Sequence, residues 1–155
     1  MSAISGLIAA FILFVIAGLH ALWGMKIYWP AASEASLARS VVGAERITQM
    51  PSPAACFVVA AFLLAITVLV LVLQGSLRFA WLPNWITIIC GFGAASVFLL
   101  RGIVGFLPFW ARATPEQPFR SYDFWVYSPL CIALGCVVLM LTLRFLRGGG
   151  ALTAG

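Results

Sequence analysis

Five side chains have the chemistry to do something unusual in this 155-residue sequence: His20, Trp23, Arg101, Asp123 and Tyr127. Each lies within or beside a tract almost empty of charge. Arg101 interrupts the end of such a tract, following Ala94-Ala95-Ser96-Val97-Phe98-Leu99-Leu100. A guanidinium stays protonated in any cellular setting. In apolar surroundings it must snorkel to the headgroups, meet an anion or bond to carbonyls. Asp123 is its natural partner. One reading is an ion pair that clamps two helices. The other is an Arg101 that faces a cavity and binds an anionic or carbonyl-bearing ligand. Gly102 and Gly105 fit close helix approach and equally fit backbone laid open to a ligand.

His20 is the sole histidine, so one chain cannot supply bis-histidine haem. His20 and Trp23 share a helix face at i, i+3. With Trp29 and Tyr127 they could wall a small pocket with apolar faces and polar edges. If the protein is an enzyme, His20 is the acid/base, Arg101 stabilises developing charge, and the substrate is lipid-like. There is no HExxH and no CxxC. Metal and thiol-redox chemistry therefore lack their usual ligands, and no cofactor is expected. No carboxylate sits mid-span, as a proton-coupled transporter would require.

These residues are positioned by long apolar tracts. Residues 2–25, 47–77, 79–100 and 124–143 contain no Asp, Glu, Lys or Arg. A spanning helix needs about 20 mostly apolar residues. Only helices or closed barrels satisfy their backbone in lipid, and the apolar runs are continuous rather than alternating. The expected fold is all-α: a transmembrane antiparallel four-helix bundle forming one domain over 1–147. The spans fall near 2–25, 53–75, 84–107 and 123–147, and a flexible tail occupies 148–155. The first span lacks a basic leader region and is expected to be retained. Ser52 caps the second span, Pro53 opens it and Gly75 stops it. The fourth has two candidate starts. Ser121 or Asp123 caps an early turn with Pro129 inside the helix, or Ser128 caps and Pro129 takes the first position.

Composition agrees. Hydrophobic residues make up 64% of the chain and charged residues 8%, against about 25% charged in a soluble domain. The net charge of +5 comes from nine Lys/Arg and four Asp/Glu. They are scattered among loops, so they read as headgroup anchors rather than as a nucleic-acid surface. Cys56, Cys90, Cys131 and Cys136 all lie in apolar stretches and read as small structural hydrophobes.

Four spans place the long connections, 26–52 and 108–122, on one side, with both termini and the short connection on the other. Trp23, Trp29, Trp110 and Trp125 belong to the first side and Trp81 and Trp85 to the second, as aromatic belts do. His20, Arg101, Asp123 and Tyr127 all fall in the half of the membrane that meets the long connections. Glu34 and Glu45 read as solvated loop charges. Residues Glu45-Arg46-Ile47-Thr48-Gln49-Met50-Pro51 are a candidate interfacial helix.

Four stretches carry a resemblance: His20-Ala21-Leu22-Trp23-Gly24; Pro51 to Val59; Leu100-Arg101-Gly102-Ile103-Val104-Gly105-Phe106; and Tyr122-Asp123-Phe124-Trp125-Val126-Tyr127-Ser128-Pro129-Leu130-Cys131. Together they resemble the DUF3995 family of small bacterial four-helix membrane proteins, across nearly the whole chain. The first loop departs from that pattern. Met25-Lys26-Ile27-Tyr28-Trp29-Pro30 stands where a Gly-Gly-rich turn is usual. The resemblance implies a multi-pass protein of the bacterial inner membrane and supplies no activity. Three functions stay open: binding a small anionic or lipid-like ligand at the five residues above, a structural or assembly role, and a lipid-acting enzyme. Membrane lipid is the expected surrounding, with a homo-oligomer or a larger membrane complex as the setting.

Overall fold

The computed structural model describes residues 3–149. In chain order the helices are α1 (Ala3–Gly24), α2 (Glu34–Val41), α3 (Pro53–Leu73), α4 (Asn84–Val104), α5 (Pro108–Ala113), α6 (Phe119–Tyr122) and α7 (Ser128–Gly149). A π-helical segment, Asp123–Tyr127, joins α6 to α7 without a break. Four stretches are long and apolar enough to cross a bilayer: Ile4–Gly24, Pro53–Leu73, Asn84–Val104 and Phe119–Gly148. The fold class is therefore the expected one, all-α with four membrane-compatible spans.

Only 28–39% of each span is buried within the protein, so most of each helix must be covered by something else. Phe11, Val58, Ile89 and Leu100 are among the large apolar side chains pointing outward. In water such a surface would drive aggregation, whereas hydrocarbon covers it at no cost. The core is narrower and built from Leu13, Leu63, Ile66, Val70, Phe98, Leu134, Val138 and Leu141, with alanines between them.

The spans pack chiefly as two pairs, α1 with α3 and α4 with α7. In each pair the end of one helix meets the beginning of the other. Gly6 receives the Gln74 side chain and Gly24 receives the Phe57 ring. Gly91 receives Thr142, Gly135 receives Leu99, and Gly102 and Gly105 receive Ser128. Missing β-carbons at these contacts let the backbones approach, which is how helices associate when lipid is as apolar as their side chains.

The ends of α3 follow from local chemistry. Ser52 Oγ accepts the Ala55 N–H at 3.2 Å, and Pro53 fills the first position. At the other end Gly75 adopts φ +85°. Ser76 N–H bonds Leu71 C=O and Gly75 N–H bonds Val72 C=O, a Schellman closure.

Several boundaries differ from expectation. α4 stops at Val104 rather than 107. Pro108 holds Leu107 extended, with ψ 143°, so the helix must unwind before it. The final helical stretch begins at Phe119, earlier than either candidate start. Asp123 and Ser128 are both inside it rather than capping it, and Pro129 is interior. The π segment makes this possible: Ser128 N–H reaches back five residues to Asp123 C=O, which widens the backbone just before the proline ring. The candidate interfacial helix at 45–51 is absent, because Gly43 and Arg46 both turn through positive φ, 72° and 54°. A helix forms upstream instead, α2, where Ser33 and Ser36 make a reciprocal capping box. Gly148 and Gly149 continue α7, and the rest of the expected tail, 150–155, lies outside the described residues.

Candidate functional site

The centre of the polar cluster is Asp123, whose side chain is fully buried. It is carried by the π segment and turned toward α4. Its Oδ1 accepts Nη2 of Arg101 at 2.6 Å and the Ser128 hydroxyl at 3.1 Å. Its Oδ2 accepts the Trp110 indole N–H at 2.9 Å and has Nη1 of Arg120 at 3.9 Å. Every lone-pair direction of the carboxylate is thus approached by a donor or a cation. A buried carboxylate persists only under such conditions.

Arg101 lies in the last turn of α4 because that helix ends at Val104. The guanidinium therefore starts less than a turn, about 5 Å, below the helix end. The negative end of the helix dipole also favours a cation there. Its Cζ sits 5.1 Å from the Trp110 ring centroid, so Trp110 serves twice, bonding the acid through its edge and the base through its face. Arg120 donates to the Gly105 carbonyl at 2.9 Å, closing a backbone acceptor that the end of α4 leaves open. Gly105 makes the cluster possible. A β-carbon there would collide with Ser128 Oγ and come within 3.0 Å of Asp123 Oδ2.

The other three predicted residues lie elsewhere. His20 Nδ1 is 2.8 Å from the Ile16 carbonyl of its own helix. A ring nitrogen facing a carbonyl oxygen is the donor of that pair. The ring lies 4.7 Å from that of Trp23, whose N–H donates to the Trp29 carbonyl at 3.0 Å. Trp23 packs with Leu37 and Cys56 in a second small core beneath the first long connection. Tyr127 donates to the Ser40 carbonyl of α2 at 3.0 Å and packs against Phe119 and Tyr122. Among the described residues no hydrogen bond, ion pair or ring contact joins His20 or Trp23 to Arg101 or Asp123. The structure therefore brings Arg101 and Asp123 together, ties Tyr127 to the loop cap and leaves His20 and Trp23 as a separate pair.

Two acids beyond the predicted set are structural. Glu34, expected to be solvated, accepts from Tyr28 Oη and from Met50 N–H, both at 3.0 Å, and so staples the first long connection. The hydrogen bond to Glu34 raises the Tyr28 pKa above its usual 10.0, because losing the phenol proton would remove a donor from a carboxylate. Glu116 accepts the Arg46 N–H at 2.8 Å, and its own N–H bonds the Gly43 carbonyl at 3.2 Å. The two long connections are thereby tied into one cap. Glu45 is an exposed charge as expected, with Arg46 beside it at 3.8 Å.

The sequence reading did not find Trp110, Arg120 or Ser128 as members of the cluster. Arg120 had a signal, since it stands three residues before Asp123 on what proves to be continuous helix. Trp110 reads as a belt residue until the bend at Pro108 is known. Among the described residues no three His, Cys, Asp or Glu side chains gather as metal ligands. A cavity of about 660 Å³ is present, but away from the cluster, between the end of α3 and the start of α4.

No curated protein and no solved structure matches the chain. The family profile described as a protein of unknown function (DUF3995) matches residues 13–138. That match includes the whole Asp123 cluster and most of the chain, and the protein belongs to the DUF3995 family.

Proposed function

We propose that the protein is a multi-pass component of the bacterial cytoplasmic membrane, folded as an antiparallel bundle, and that it serves as a structural or assembly subunit whose Asp123 cluster is an internal lock. The observation that carries this reading is the saturation of the Asp123 carboxylate by Arg101, Ser128, Trp110 and Arg120. A ligand entering there would have to displace one of these and leave a buried charge short of a partner, a loss of about 3–5 kcal/mol. Substrate turnover at His20 has less support, because among the described residues no contact joins the imidazole to Arg101 or Asp123.

A second reading keeps Arg101 as a ligand contact. Its side chain is 32% exposed, and two guanidinium groups face one carboxylate, so the cluster carries a surplus positive charge. A small anionic or lipid-like ligand would suit that edge.

One preparation separates them. The wild-type chain and Arg101→Ala are purified in mild detergent, thermal unfolding is followed, and co-purified small molecules are identified by mass spectrometry. The lock reading expects a clear fall in stability with no change in bound molecules. Unchanged stability with loss of a bound anion would replace it with the ligand reading. Fractionation tests the location: the tagged chain should sediment with the cytoplasmic membrane and need detergent for release. A monodisperse chain in plain buffer would overturn the membrane assignment.

A further inference from the structure

The end of the bundle away from the Asp123 cluster holds an open cavity of about 660 Å³. It lies between the last turn of α3, the short connection, the first turn of α4 and the end of α7. Much of its wall is apolar, including Leu73, Leu77 and Phe145, while Arg78, Asn84 and Thr87 contribute polar groups.

Three independent observations give the cavity a preferred occupant. The first is charge. The four acidic side chains of the protein, Glu34, Glu45, Glu116 and Asp123, all belong to the long-connection end, whereas Arg78, Arg144 and Arg147 belong to this one. Arg78 makes no ion pair among the described residues. The second is the start of α4. Its N-cap is Pro83, with no side-chain cap, and among the described residues the Asn84 and Trp85 N–H groups have no acceptor. A 21-residue helix thus opens at the cavity with its positive end uncapped. The third is Thr87. It is only 2% exposed, yet it lines the cavity and its hydroxyl makes no hydrogen bond among the described residues. A hydroxyl that borders the cavity and has no protein acceptor is free to donate to whatever occupies it.

We propose that this cavity is a headgroup site for an anionic phospholipid. The phosphate lies between the Arg78 guanidinium, the first N–H groups of α4 and the Thr87 hydroxyl. Leu73, Leu77 and Phe145 meet the glycerol and the upper acyl chain. A lipid is preferred to a free anion because the wall is largely apolar. The site also lies at the ends of spans, where Trp81 and Trp85 stand exposed, 77% and 63%, as aromatics do at headgroup level.

The test is native mass spectrometry of the full chain in detergent, with dioleoylphosphatidylglycerol and dioleoylphosphatidylcholine as competing probes. The wild-type protein should retain the anionic lipid preferentially. Arg78→Gln should reduce that preference about fivefold, the effect of one cation near an anionic headgroup. Thr87→Val should weaken it as well, with thermal stability in lipid-free detergent unchanged. Lys26→Gln, at the opposite face, should leave it intact. Equal retention of both lipids by the wild-type chain would overturn the proposal, as would an Arg78→Gln protein that keeps the full preference. Inorganic phosphate at equal concentration should not displace the lipid. Full displacement would reassign the cavity to a free anion and overturn the lipid assignment.

Discussion

Gly105 lies so close to Ser128 that a β-carbon at position 105 would overlap the Ser128 hydroxyl. That hydroxyl is one of the donors to Asp123, so the spacing of α4 and α7 and the hydrogen bonding of the buried acid are set by the same missing methyl group. Gly105→Ala should force Ser128 away from Asp123 and lower stability by about 1–3 kcal/mol. Gly93→Ala is the control, since nothing lies within 4 Å of a β-carbon there. It should be neutral or stabilising by up to about 1 kcal/mol through helix propensity. Thermal unfolding in detergent reads both, and equal midpoints for the two variants would contradict the account.

Gly75 stops α3 in a left-handed conformation, with open space around it. Gly75→Ala therefore meets no clash and suffers only the backbone penalty, about 1–2 kcal/mol. The expected result is a modest fall in the unfolding midpoint with unchanged helix content. No change at all would mean that the connection re-forms without the positive φ.

Tyr127 reaches across 87 positions to bond the Ser40 carbonyl. Tyr127→Phe removes that bond and leaves the ring in place. The expected loss is about 1 kcal/mol, felt locally. Hydrogen exchange of residues 34–41 should quicken, while amides of α4 and α7 keep wild-type protection. Faster exchange throughout the four spans would show that Tyr127 supports more than the loop cap.

Tyr28 supplies a pH test. Its pKa is raised because the phenol donates to Glu34. A phenol whose folded pKa exceeds the unfolded one is stabilised in its neutral form. The contribution is fully present below 10.0 and is lost as pH rises through the folded value. Phenolate absorbance of Glu34→Gln should show a one-phenol step moved to lower pH than in the wild-type chain, toward the ordinary value. Identical titrations of the wild-type chain and Glu34→Gln would remove the Glu34 staple.

The four spans were legible because charge is missing from long tracts, and no soluble arrangement of this length hides such tracts. Ser52, Pro53 and Gly75 mark the ends of α3 by their own backbone chemistry. The Arg101–Asp123 pair was legible too, since a cation that cannot deprotonate needs a partner at its own depth. Distance from a helix end does not say which neighbour a side chain faces, which is why His20 and Arg101, each about a turn from its helix end, do not touch. α1 packs on α3, and α4 on α7. The π segment left only Pro129 as a trace, because a shift of hydrogen bonding from four residues to five is a backbone event. Tyr127 and Glu34 were unreadable for a similar reason. Their partners are a carbonyl of Ser40 and an N–H of Met50, groups that nearly every residue carries.

The account rests on Arg101 and Asp123 stabilising the fold as a pair, and a double-mutant cycle in detergent tests that most directly. Arg101→Ala, Asp123→Ala and the double variant are compared with wild type by thermal or chemical unfolding. Each single change should destabilise, by up to about 3–5 kcal/mol. The double variant should lose clearly less than the sum, with a coupling of about 1 kcal/mol or more. Losses that add, or single variants as stable as wild type, would contradict the lock.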